Sequence, residues 1–464
     1  MFLFGYFSTL GAGRCGLPTL RHLIQPLASA SDKSFGIPLV AAVLCPLGAV
    51  GLESFKIMWL KNIHSGYVLG IAALLAPTLG VFGPLLIAPL AVATILGLLA
   101  LRFRDRVAVQ ADWWLASVMG LVFAWMTLSL AWSIRFDEII GKWAFLAAVI
   151  SLVFVLVVFN SSMAENERRI LRRFILAGIA IGYALTFFEL ATSNAISRHI
   201  LGKDSAQAET VDLFNRSDSV LFVFVWPAVA TLWRRWVPVA LVLIGLGFVI
   251  GYILPSASAL IGYTAGAAVF ISALWAPRIV GAGVAAIVCL GILMAPALPG
   301  ISPYLDSQYW RQKTGQINAS LVHRLDIWEF TTKRIAEHPY AGWGFKAARS
   351  IPGGDEHYYL RDANQNIIGQ GNRLPLHPHN GALQVWLELG VPGALGYSAL
   401  FGLAALRAGR GANRTTSAMG LAVVATVIPI WMLSFGIWQS WWLGVIILAT
   451  LLTMALSAET QNDL

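Results

Sequence analysis

"LPLHPHNGALQVWLELGVPGALGYS", residues 374–398, changes character at Gly381: two histidines, two prolines and an asparagine come before it, and an almost wholly apolar run follows. The apolar part continues to about residue 406. At 1.5 Å per residue it can cross a hydrocarbon layer of roughly 30 Å. In lipid the backbone must satisfy its own polar groups, and a continuous apolar run, unlike an alternating one, does so as a helix. The polar part is then the lead-in from a loop at the membrane surface.

Similar runs recur along nearly the whole chain, near 37–54, 66–82, 84–101, 113–133, 140–159, 170–190, 218–234, 237–254, 256–275, 278–297, 382–406, 416–437 and 440–457. Of the 464 residues, 58% are hydrophobic and 12% charged, about half the charged share of a soluble domain. An all-α polytopic membrane protein with about twelve spans is expected.

The net charge of +9 does not point to nucleic acid, because the basic residues sit in short clusters between apolar runs. "LRFRDR" (101–106), "ENERRILRR" (165–173), "WRRW" (233–236), "PR" (277–278) and "LRAGRGANR" (406–414) follow the positive-inside pattern of cytoplasmic loops. Residues 134–139, 191–217 and 298–381 then face the other side. Arg14, Arg21 and Lys33 break the alternation, so either an early segment is re-entrant or residues 1–36 lie along the inner surface. Cys15, Cys45 and Cys289 have no metal-ligand or disulfide spacing. No cleavable signal peptide and no internal repeat stands out.

The domain plan is therefore an N-terminal interfacial or cytoplasmic segment (1–36), a transmembrane bundle (37–297), one large periplasmic or extracellular loop (298–381), C-terminal transmembrane helices (382–457) and a cytoplasmic tail (458–464). The loop of about 84 residues far exceeds an ordinary helix connection and holds five of the eight histidines. "SLVHRLDIWEFTTKRIAEHP" within it reads as an amphipathic helix, with Ser320 as candidate N-cap and Leu321, Leu325, Trp328 and Ile335 as its apolar face. Glu329 and Lys333 form an i, i+4 pair on the solvated side. Pro339 ends the helix, and the glycine-rich, aromatic stretch after it suits a fold-back over the membrane mouth.

His379 and Asn380 are followed by nine residues, then Gly390, two residues and Gly393. That spacing resembles the signature of the bacterial O-antigen ligases, in a superfamily that also includes O-antigen and exopolysaccharide polymerases and protein O-oligosaccharyltransferases. The likeness extends to the layout, a GT-C-like set of membrane helices with one large periplasmic loop, and to "HRLDIWEFTTKRIAEHPYAGWGF". It implies a glycosyltransferase of the bacterial inner membrane, with its active site facing the periplasm. The donor would be a glycan on undecaprenyl pyrophosphate and the acceptor, for a ligase, the lipid A-core. Neither a metal nor another cofactor is implied, and the remaining partners are membrane lipids. Carried over by position, His379 is the catalytic residue, Arg324 a contact to the lipid diphosphate, and Arg216 a weaker match for the same role. Where many relatives have an arginine near "LPSASALIGYTAG", this chain has Ala259, which removes one expected diphosphate contact.

The residue chemistry agrees. An acceptor hydroxyl must lose its proton as it attacks the anomeric carbon, and a neutral imidazole suits that task. Asn380 or Gly381 can start the next helix, whose positive end would keep His379 neutral. Guanidinium forks match the oxygens of a departing diphosphate. His377, Asn380 and Arg373 are supporting candidates. Glu388, a carboxylate two turns into an apolar helix, either orients an arginine or is a hydrogen-bonded packing group, and Glu189 receives the same reading. For His379 itself the plain alternative is a structural cap, and a histidine metal site with Asp355, Glu356 or His357 lacks a recognisable ligand spacing. The competing functions are a polymerase with the same donor and a transporter of lipid-linked sugar.

Overall fold

The computed structural model describes residues 63–457, apart from 107–109, 161–162, 203–213, 255, 298–318 and 362–366. The expected inner-surface segment 1–36, the first candidate span 37–54, the opening of the large loop and the tail 458–464 lie outside the described residues.

From 66–82 onward every apolar run falls on a helix. In chain order they are α1 (Ser65–Phe82), α2 (Ile87–Asp105), α3 (Trp113–Leu128), α4 (Phe136–Val158), α5 (Glu165–Ala191), the short α6 (Ala195–His199), α7 (Ser217–Trp233), α8 (Val237–Ile253), α9 (Ala257–Ala273), α10 (Pro277–Leu293), α11 (Ala319–Glu337), α12 (Gly381–Ala408), α13 (Arg414–Leu433) and α14 (Ser440–Ser457). Among the described residues seven helical segments are long and apolar enough to cross a membrane: α1, α2 with the turn before it, α3 with the turn after it, α5, α12, α13 and α14. The helices α7 to α10 are apolar with 17 residues each, and α4 has 23. The fold is that of an all-α polytopic membrane protein. The described residues add two short strand pairs that apolar periodicity did not anticipate: β1 (Gln110–Ala111) with β2 (Phe159–Asn160), and the antiparallel β3 (His357–Arg361) with β4 (Ile367–Asn372).

Local chemistry sets the helix ends. Asp112 caps α3 by accepting from the Leu115 N–H at 3.0 Å, and Asn413 forms a capping box with Thr416 at the start of α13. Close backbone approach sets the packing, as expected where lipid supplies no hydrophobic drive between helices. At Gly262 of α9 an added Cβ would lie 2.6 Å from the Thr426 carbonyl oxygen of α13. Beside that contact the Trp226 indole N–H donates to Thr426 Oγ1 at 2.7 Å, within a stack that includes Tyr263 and Phe270.

Two features depart from the expected loop helix. Ser320 is the second residue of α11, not its cap. Leu321 is exposed, and the buried stripe is Val322, Leu325, Ile327, Phe330 and Ile335, with Trp328 half-buried. Glu329 and Lys333 do pair on the exposed side at 2.8 Å.

The helix α12 is broken, and the break locates the loop. Gly390 has φ 61° and ψ −156°, and Pro392 has no N–H, so the carbonyls of Leu387, Glu388 and Leu389 lose their partners at residues 391–393. The segment after α11 takes two of them: Trp343 N–H donates to Leu387 O at 2.8 Å and Gly344 N–H to Glu388 O at 2.9 Å. The Trp125 indole of α3 takes the third at 2.8 Å, while Val391 N–H donates back to Pro339 O at 3.1 Å. Gly342, at φ 68°, allows this approach, since a Cβ there would sit 2.6 Å from the Glu388 carbonyl oxygen. The "GVPG" stretch is thus more than a bend: it is the dock for "PYAGWG".

Candidate functional site

The first half of α12 starts where expected. Asn380 is its N-cap, with Oδ1 accepting from Leu383 N–H at 3.0 Å. The residue before it, His379, has φ 52°, a conformation that non-glycine residues adopt at a cost and that concentrates at functional sites.

Its side chain is oriented from another helix. His379 Nδ1 lies 3.1 Å from the carbonyl oxygen of Ser434, at the end of α13. A carbonyl only accepts, so Nδ1 carries the proton and the neutral ring leaves Nε2 as a bare lone pair. Burial is the first cause holding the His379 pKa below its ordinary value, and the electrostatic influence of Arg324 and His323 acts the same way against the Ser434 bond. The neutral state expected from the helix end is therefore produced mainly by desolvation.

His377 is buried against His379, with ring centroids 4.4 Å apart. Its Nδ1 accepts the His379 backbone N–H at 3.1 Å, which helps hold the left-handed turn. Burial, then the electrostatic influence of His379, Arg349 and Arg324, push its pKa down to about 3. Its Nε2 meets the Gln439 amide at 3.2 Å, and Gln439 Oε1 accepts from the Trp441 indole at 3.1 Å. The Arg216 guanidinium, at the start of α7, lies 5.7 Å from the centroid of that Trp441 ring. A contiguous chain of contacts thus joins Arg216 to His379.

Arg324, on α11, is half-buried, its pKa lowered by burial, and it has no ion-pair or hydrogen-bond partner among the described residues. The same helix is fixed over the histidines by the Trp328 indole, which donates to Pro378 O at 3.1 Å. Arg373 is engaged elsewhere, in an exposed pair with Glu356 at 3.2 Å. Ala259 is fully buried in α9. Among the described residues no three His, Cys, Asp or Glu side chains are grouped as a metal ligand set.

Glu388 is fully buried and joins three elements. Its oxygens accept from Gln384 Nε2 at 3.0 Å, the Trp438 indole at 2.5 Å, Lys346 N–H at 2.9 Å and Ala348 N–H at 3.4 Å. Gln384 Oε1 in turn accepts from Ile437 N–H at 3.0 Å. The α13–α14 turn, which supplies Ser434 and Gln439, and the segment before Arg349 are both held by this one carboxylate and its glutamine neighbour.

Residue-by-residue reading missed Arg349, Ser434, Gln439 and Trp441. The last three flank or lie in "SFGIWQSWW", a polar and aromatic interruption between two apolar runs that was a usable signal. Arg349 had none beyond its charge.

Residues 239–398, which include α12 up to its break and the loop before it, match the family described as O-Antigen ligase. Over that part of its length the chain is similar to the O-antigen ligase family. Among its relatives, a Rickettsia conorii protein with the provisional name polysaccharide ligase is 27% identical over 340 residues, 72% of this chain and 79% of that protein. A Rickettsia felis protein with the same provisional name is 24% identical over 405 residues, 82% and 94% of the two chains. A third, from Rickettsia prowazekii, is 26% identical over 302 residues, 64% and 70%.

Proposed function

We propose that the protein moves a glycan from undecaprenyl pyrophosphate to a sugar hydroxyl of the lipid A-core, at the periplasmic face of the bacterial inner membrane. The observation that carries this reading is the bare Nε2 of His379, left by an Nδ1 that donates to Ser434 O at 3.1 Å. In a single displacement the acceptor oxygen attacks the anomeric carbon while Nε2 takes its proton. The bond from that carbon to the diphosphate oxygen breaks, its electron pair stays on the diphosphate, and the configuration inverts. Arg324, Arg216 and Arg349 supply positive charge for the leaving diphosphate without a metal.

Twelve spans, α1 to α5, α7 to α10 and α12 to α14, give a consistent topology. All five basic clusters fall on the cytoplasmic side, and Arg216, Arg324, Arg349, His379 and Ser434 fall on the periplasmic side. The relatives' name favours ligation over polymerisation.

The test is the His379→Ala variant in a deletion strain, read by a lipopolysaccharide gel and by membrane content of the protein. Unmodified core with polymer retained on the lipid carrier is expected, at wild-type protein level. Wild-type lipopolysaccharide would overturn the role of His379, and core bearing a single repeat would assign a polymerase instead.

A further inference from the structure

At the other end of the same helices lies a second site. The helix α13 has 20 residues between Ser434 and its N-cap Asn413, so its two ends are separated by about 30 Å. At the Asn413 end a cavity of about 870 Å³ opens between α5, α7, α13 and the last turn of α14. Arg169, Arg172, Arg173, Arg234 and Arg235 line it, against one acid, Glu165.

The arginines are placed by helix geometry and not merely by a basic loop. Glu165, Arg169, Arg172, Arg173 and Leu176 share one face of α5, and Arg234 and Arg235 end α7 across from them. Glu165 is already shared by Arg172 at 2.7 Å and Arg168 at 3.0 Å. The side chains of Arg169, Arg173 and Arg235 have no ion-pair or hydrogen-bond partner among the described residues. Beside the arginines the lining includes an apolar wall of Leu176, Leu232, Met419 and Leu456. Like charges brought together around a cavity repel unless an anion joins them, and the apolar wall means that the anion is amphipathic.

We propose that this cavity binds an anionic phospholipid, with its phosphate on Arg169, Arg173 and Arg235 and its acyl chains along Leu176, Leu232 and Leu456. Free phosphate shares the headgroup chemistry but leaves the apolar wall uncovered. The site is independent of any role of His379.

The test uses the delipidated full chain in an uncharged detergent, with native mass spectrometry of added phosphatidylglycerol, phosphatidylcholine of the same acyl chains, or inorganic pyrophosphate. Phosphatidylglycerol is expected to bind far tighter than phosphatidylcholine, and R169Q/R173Q/R235Q to lose about 100-fold in that affinity, from roughly three surface arginine contributions. The exposed arginine triple R106Q/R278Q/R410Q, outside the cavity, is expected to keep it. Equal binding of the two lipids, equal loss in the two triples, or displacement of phosphatidylglycerol by equimolar pyrophosphate each overturns the proposal. If the cavity triple does not fold, a salt titration of the wild type decides: affinity should fall as salt rises, and salt-independent binding rejects the arginine contacts.

Discussion

Glu189 and Glu388 look alike in the sequence, each a lone carboxylate within a long apolar run, and both are fully buried. Their donors differ in origin. Glu189 accepts from Ile196 N–H at 2.8 Å and Ser197 N–H at 3.1 Å, both within eight residues, so it caps the short α6. Glu388 accepts from residues four, forty, forty-two and fifty positions away, so it joins α12, the loop before Arg349 and the turn that carries Ser434 and Gln439. A buried acid with local donors finishes a turn; one with distant donors holds a site together.

The comparison would break if the two acids could be removed at similar cost. Glu388→Ala leaves three N–H donors from the backbone and Trp438 without their acceptor, at about 1–3 kcal/mol for each buried one. Glycan transfer is expected to fall by about 100-fold or more, measured in membranes with the protein level matched. A value near wild type would mean that the carboxylate is only packing.

The next largest effect is on pH. The neutral forms of His377 and His379 are favoured by the fold, with His377 held down to about 3. Below the ordinary value of about 6.5 the unfolded chain binds more protons than the folded one. The stability from His377 is therefore full above that pH and is lost as pH falls towards 3, by about 1.4 kcal/mol per unit, and His379 adds a loss of the same sign. Hydrogen exchange, corrected for its intrinsic rate, should loosen residues 377–381 and 434–439 between pH 7 and 5 and leave 194–199 unchanged. Uniform loosening would erase the distinction between the two regions.

Trp328→Phe removes the bond to Pro378 O and little else, so transfer should drop about fivefold, in line with one net hydrogen bond of roughly 1 kcal/mol. No change would show that α11 is positioned by the Gly390 break alone. The smallest effect is expected for Glu189→Ala, with the thermal midpoint lowered and transfer kept within about threefold, since its two donors belong to the local α6 turn and not to the elements that hold His379. A loss as large as that of Glu388→Ala would place both acids in the same class.

Much of the fold was legible because a spanning helix is a local property: an apolar run of sufficient length folds as a helix wherever it lies. The start of α12 was equally readable, from an asparagine before an apolar run, and Asn380 is its cap. The finer reading of α11 failed at Ser320 and Leu321 because two turns near a helix start admit more than one face until a partner surface is known. Arg373 was grouped with the site by nearness in sequence, yet a residue six positions from His379 turned to Glu356. Arg349 and Gln439 come to the histidines from 28 and 62 positions away from His377, with no pattern in the sequence to announce it.

From its residues alone, then, this chain was bound to be a helical membrane protein with His379 at the entrance to an apolar helix and glycines at 390 and 393. Which nitrogen of His379 is bare, which buried acid holds the site, and why the helix breaks at Gly390 depended on partners brought together in three dimensions. Hydrophobicity sums along a stretch of chain and survives any packing. A hydrogen bond exists only where donor and acceptor meet within about 3 Å, and a carbonyl such as Ser434 O has no side chain by which a sequence could mark it.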